Sequence, residues 1–143
     1  MNSARPNLPW KSSGRIPDAQ LEGLRTILAL EEIRRRFVFV ATHYAPLRAD
    51  GSPDTPLHGL DNAGALMDVC AGIRRGAILC GHIHHAFRYA IPPDLYCGGS
   101  ATMDGYEAAW WFEIEDLRTT VRPVHWDGNS WSLGPADERT LVG

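Results

Sequence analysis

Phe37-Val38-Phe39-Val40-Ala41-Thr42-His43-Tyr44-Ala45-Pro46 is the stretch on which the fold turns. Its first five residues are wholly apolar and rich in aromatic and β-branched side chains, so they read as a strand buried on both faces. The strand opens into a loop at Thr42 to Pro46, which leaves His43 at its C-terminal end. A second run of this kind, Ala77-Ile78-Leu79-Cys80, ends in Gly81-His82-Ile83-His84-His85. Between the two lie a Pro/Gly/Asp-rich loop over 46–59, long enough to form part of a site, and a helix. Asp61 caps that helix, Leu66, Cys70 and Ile73 share one face, and Arg74-Arg75-Gly76 stops it. A right-handed connection makes the two strands parallel. His43 and His82 then share one sheet edge, the edge at which open α/β sheets place their sites. Extended backbone after Gly81 throws His82 and His84 to one side and turns His85 away from it.

Outward from this unit, residues 1–15 are an irregular lead-in broken by Pro6, Pro9 and Gly14, with Trp10 available to pin it to the core. A helix follows. Pro17 suits its first position, Asp18 its positive dipole end, and Leu21, Leu24 and Leu28 repeat at helical spacing towards a basic end at Arg34-Arg35-Arg36. Beyond His85, the segments 87–91, 95–97, 108–114 and 119–126 read as successive strands of an antiparallel meander. They are separated by Pro92-Pro93, by Asp104-Gly105 and by a turn over 115–118. The fold class is therefore mixed α/β, with a main domain over 16–130 and a loose tail over 131–143.

The 143 residues suffice for one domain with a real core. A net charge of -3 gives no basic surplus for nucleic acid or anionic lipid. Lys11 is the only lysine, which excludes a P-loop ending in Gly-Lys and argues against Schiff-base chemistry. No apolar run approaches a membrane span, and Met1 to Arg15 has no hydrophobic signal core. Cys70, Cys80 and Cys97 are odd in number and lack Cys-x-x-Cys spacing, so they read as reduced, buried thiols of a cytoplasmic protein.

Six histidines remain to be explained. Neutral imidazole is the commonest protein metal ligand, and His43, His82 and His84 converge on one edge. His58 and His125 read as satisfied core or surface residues, and His85 is ambiguous. Other chemistries fail on spacing. A third alternate histidine, as in a histidine-triad hydrolase, would fall at position 86, which is Ala, and Ala86 also replaces the aspartate of a metallo-β-lactamase His-x-His-x-Asp-His. Around Ser100, Thr102 stands where a nucleophile elbow needs glycine, and no helical pattern follows.

The order of strand, Thr42-His43-Tyr44-Ala45-Pro46, loop, helix, strand and Gly81-His82-Ile83-His84 resembles the second half of a calcineurin-like metallophosphoesterase, nearest to bacterial cyclic-nucleotide-type phosphodiesterases. The resemblance runs from about Gly14 to Ile114 and implies the C-terminal half of a four-layer αββα sandwich. It implies two divalent ions (Mn, Fe or Zn), with His43 and His82 on the second and His84 on the first, activating an attack on phosphorus in a phosphoester substrate.

The first-half motifs of that family are absent. No aspartate is followed two residues later by histidine, no Gly-Asp dipeptide occurs, and the one Gly-Asn, Gly128-Asn129, runs into Ser130. Three neutral histidines do not offset the repulsion between two adjacent cations. The expectation is a metal-dependent phosphodiesterase-family hydrolase in truncated form, inactive alone. The alternative is a non-catalytic remnant or a subunit that completes a site with another chain; a mononuclear zinc domain is a third reading. Exposed strands of a half-sandwich also call for a partner, a second copy or the absent half. Neither catalytic nor substrate-binding residues are assignable.

Overall fold

The computed structural model describes residues 1–115 and 118–139. The lead-in runs into α1 (Asp18–Ala29) and a single turn, α2 (Glu31–Arg34), followed by β1 (Val38–Tyr44), α3 (Ala63–Cys70) and β2 (Gly76–Gly81). Six strands complete the chain: β3 (Phe87–Tyr89), β4 (Asp94–Cys97), β5 (Ala108–Glu115), β6 (Arg118–Trp126), β7 (Trp131–Leu133) and β8 (Asp137–Arg139). The helix expected through Arg36 breaks at Leu30, whose ψ of 131° is extended.

β1 and β2 pair in parallel, as their connection requires, and end together at Tyr44 and Gly81. The first sheet has the order β1-β2-β4-β3, and the second has β6 between β5 and the pair β7 and β8. Two expectations need correction here. β3 and β4 belong to the first sheet, β4 parallel to β2 and β3 antiparallel to β4, rather than to a single meander with β5 and β6. The stretch read as a loose tail supplies β7 and β8, both paired with β6. Three-residue strands are too short to leave a period in the sequence. Residues 116 and 117 of the expected turn, and 140–143 of the tail, lie outside the described residues.

The core is built on one face of the first sheet. Ile16, Leu21, Leu60, Leu66, Val69, Cys70 and Ile73 pack there against Val40, Tyr44, Ile78 and Leu95. On the opposite face Ala77, Tyr96 and Leu79 meet Trp110, Phe112 and Val121 of the second sheet. The layers are thus helices, sheet, sheet, and among the described residues no helix follows β2. β1 is not buried on both faces. Val40, Thr42 and Tyr44 are buried while Phe39, Ala41 and His43 are exposed. The cause is its edge position: among the described residues its only strand partner is β2. Phe39 recovers cover through the Phe112 ring, 5.1 Å away across the sheets.

The lead-in is irregular but fixed. Ser12 N–H donates to the Leu57 carbonyl at 2.8 Å and Gly14 N–H to that of Gly59 at 3.0 Å, so it runs beside the end of the 46–59 loop. Arg5 bridges to Asp61 at 2.6 Å. Ser3, Ser13 and Gly14, not Trp10, are the buried residues of the lead-in; Trp10 stands 72% exposed. Among the described residues no helix is long and apolar enough to cross a membrane.

Candidate metal centre

Two strand ends and one loop build the site. The β1–β2 register gains a residue on β1 between Ala41 and Tyr44, a bulge-like irregularity that re-aims the strand end bearing His43. Directly after β2, the backbone leaves the extended region. His82 has φ 69° and His84 φ 58°. This overturns the expectation that His82 and His84 share a side through extended backbone. The left-handed region costs a non-glycine residue about 1–2 kcal/mol, although histidine enters it more readily than most. Such strain gathers where a site dictates the backbone.

The turn carries the His82 ring towards β1. His82 Nδ1 lies 3.2 Å from His43 Nε2. The Tyr44 ring sits 4.2 Å from that of His82, and the His58 ring 4.1 Å from it. His82 Nε2 is sealed from solvent with no hydrogen bond of good geometry. Burial, then the neighbouring His58 and His43 charges, hold the His82 imidazole below its ordinary value of 6.5, so it is neutral near pH 7.

His58, read from sequence as a bystander, belongs to this cluster. Its Nδ1 lies 2.7 Å from Asp54 Oδ2, while Asp54 Oδ1 accepts from Thr55 N–H at 2.7 Å. Burial raises the Asp54 carboxyl, but the His58 and Thr55 hydrogen bonds outweigh it and hold the group below the usual carboxylate value. His58 and Gly59 N–H groups both donate to the Thr55 carbonyl, so the segment forms one helix-like turn. That turn sets Asp54 and His58 face to face at i, i+4 spacing. Asp54-x-x-x-His58 in the long loop was the available signal.

The remaining histidines stand elsewhere. His84 and His85 are exposed, and His85 lies 5.2 Å from the Tyr106 ring. His84 makes no ring contact or hydrogen bond with His43 or His82 among the described residues. His125 is exposed on β6, opposite Ala108. The three cysteines are free thiols; Cys70 and Cys97 are buried as expected, Cys80 is only half-buried, and burial raises the Cys70 thiol to about 11. Cys80 and Cys97 are partners across β2 and β4.

Two tetrahedral ligand nitrogens at the usual 2.0–2.1 Å from zinc stand about 3.3 Å apart. The 3.2 Å His43–His82 separation therefore fits two positions around one ion. A dinuclear centre does not fit. Among the described residues no three His, Cys, Asp or Glu side chains are grouped to hold a metal, and Asp54, the carboxylate in the cluster, is engaged by His58.

A scan against protein-family profiles finds no match, and a search of curated proteins finds none either. Among solved structures the chain is similar to a double mutant of Vps29 from Entamoeba histolytica, at 15% identity and a TM-score of 0.42, over 92% of this chain and 94% of that one.

Proposed function

We propose that this chain is the histidine-bearing part of a calcineurin-like metallophosphoesterase fold and that alone it binds a divalent cation without hydrolysing phosphoesters. The observation that carries this reading is the His43–His82 pair, 3.2 Å apart at the shared edge of two parallel strands. Those two residues would hold the cation. When bound, it would supply Lewis acidity towards a phosphoryl oxygen. The chain's own part is to orient the rings: Tyr44 and His58 flank His82, and Asp54 fixes His58.

Completion of the dinuclear site, with His84 on the first ion and His43 and His82 on the second, requires carboxylates from outside this set of residues. A second copy or a separate polypeptide carrying the first-half motifs is the partner class. The substrate of the completed site is a small phosphoester, in the cytoplasm, with no role for nucleic acid. The non-catalytic alternative draws support from the lack of any three-ligand group among the described residues.

Elemental analysis of the purified full chain, with an assay on bis(p-nitrophenyl) phosphate, tests the reading. The expected result is at most one Mn, Fe or Zn per chain and no turnover. Two tightly bound ions with phosphodiester turnover would overturn it, as would a failure to bind any of the three metals.

A further inference from the structure

We propose that Cys80 and Cys97 are a redox modification site: a dithiol that a peroxide oxidises to an intramolecular disulfide, loosening the turn that carries His82. The inference needs no metal and stands apart from the preceding reading.

The first sheet brings the two sulfurs together. Cys80 and Cys97 are partners in the parallel β2–β4 register, two residues beyond the partners Ile78 and Leu95. Ile78 and Leu95 belong to the core under the helices, and alternation puts Cys80 and Cys97 on that same face. Neighbouring strands run about 4.7–4.9 Å apart, inside the Cα separation of roughly 4.4–6.8 Å that disulfides span. The two thiols are already hydrogen-bond partners, so the bond asks for no backbone rearrangement. Cys80 is half-buried, within reach of a small oxidant, while Cys97 is fully buried beside it. Cys70 is sealed away in α3.

Cys97 also holds the turn at the candidate site. Its thiol donates to the Gly81 carbonyl at 3.4 Å, and its sulfur accepts from Ile83 N–H. Ile83 N–H also donates to the Gly81 carbonyl, at 2.8 Å. With His82 between them at φ 69°, the three residues form the γ-turn of positive φ, the strained member of its class. Cys97 therefore clamps both ends of the turn that aims His82 at His43.

Oxidation alters this clamp by its chemistry. Two S–H bonds and the peroxide O–O bond break, and one S–S bond and two O–H bonds form. The sulfurs give up two electrons, the peroxide oxygens take them, and both protons leave in water. A disulfide sulfur carries no proton, so the Gly81 carbonyl loses its Cys97 donor. A strained backbone persists only while its surroundings over-determine it; with that bond gone the His82 ring shifts against His43.

The full chain, reduced and metal-free, is treated with hydrogen peroxide, unfolded, alkylated and digested with trypsin. Cleavage after arginine separates Gly76–Arg88 from Tyr89–Arg118, and both from the peptide that holds Cys70. The expected product joins those two peptides by a bond that dithiothreitol reverses, with Cys70 alkylated. Histidine NMR of the native chain should show the His82 resonances displaced by peroxide and restored by reduction. Cys97→Ser keeps a hydroxyl for Gly81 and cannot form the bond. It should show parent-like His82 resonances that ignore peroxide, whereas Cys97→Ala should displace them with no oxidant present. Cys80→Ser spares the clamp and carries the same test should Cys97→Ser fail to fold. Unlinked Cys80 and Cys97 in a chain that stays native by circular dichroism overturn the inference, as does Cys80 linked only between chains. A linked pair that leaves the His82 resonances in place overturns it too, as does a peroxide response in folded Cys80→Ser equal to that of the parent.

Discussion

His43 Nε2 faces His82 Nδ1 at 3.2 Å, across strand ends that are 39 residues apart in sequence. The contact follows from local causes. Parallel pairing brings Tyr44 opposite Gly81, and the left-handed His82 backbone turns the ring back towards β1 rather than onward along β2. Either a proton or a cation can hold two such nitrogens together.

Acidification of the metal-free chain should therefore act through His82. Its folded pKa lies below the ordinary 6.5 because burial and then the His58 and His43 charges disfavour its cation. The unfolded chain takes up this proton first, so folding stability is fully present above pH 6.5 and is lost as pH falls towards the folded value. Urea denaturation at pH 8 and pH 5.5, with chelator present, is expected to show this loss. His82→Gln should flatten that part of the profile, and an undiminished slope in the variant would place its origin elsewhere.

Gly14→Ala should disturb both stability and the site. A Cβ at Gly14 would meet the Tyr44 ring and stand 2.7 Å from the Ser3 carbonyl oxygen, and the Tyr44 ring is the one that flanks His82. Overpacking of this kind costs roughly 1–3 kcal/mol. Denaturant unfolding should report that loss. Histidine NMR should show the His82 resonances displaced, whereas Gly23→Ala, at an exposed position of α1 with open space at its Cβ, should leave them in place.

Ile78→Ala tests the core without touching the site. Ile78 is fully buried among Val40, Leu66 and Leu95. Truncation there is expected to cost about 2–5 kcal/mol and Ile78→Val about 1 kcal/mol, since a large void relaxes only in part. Equilibrium unfolding should rank the three proteins in that order. Equal stability of Ile78→Ala and the parent would mean that the helix layer does not seal on β2 as described.

Much of this arrangement was legible in the sequence. Short apolar runs at 37–41 and 77–80 identified the parallel pair, and the histidines that follow them identified the edge. An apolar run records what a strand prefers to touch, not whether a neighbour is present: β1 is an edge, and Phe39 and Ala41, on the face turned towards the second sheet, are only partly covered by it. The His82-x-His84 spacing misled because alternation assumes extended backbone, and both residues are left-handed. His58 escaped notice because its place depends on docking of the 12–14 lead-in against 57–61, a contact that leaves no period in the chain.

Arg88 ties the first sheet to the end of the chain. From β3 it donates through Nε and Nη2 to Asp94 Oδ2 of β4, at 2.9 and 2.7 Å, and through Nη1 to Asp137 Oδ2 of β8 at 3.4 Å. Both Arg88 and Asp94 side chains are largely buried, at 20% and 14% exposure, so the pair is shielded from screening by solvent. Removal of the guanidinium takes the Arg88 cation from a largely buried carboxylate that keeps the Tyr96 hydroxyl at 3.5 Å; breaking a buried pair costs about 3–5 kcal/mol, less here because burial is incomplete and that bond remains. Arg88→Ala is expected to lose roughly 2–3 kcal/mol in urea unfolding. It should also speed amide exchange in β8 more than in β7, since β7 pairs with β6 without help from Arg88. Asp137→Asn, which spares the Asp94 bonds, should raise β8 exchange with a stability loss below about 1 kcal/mol, in keeping with a half-exposed ion pair. Uniform exchange across β7 and β8 in Arg88→Ala would show that β8 is held by its backbone ladder to β6 alone.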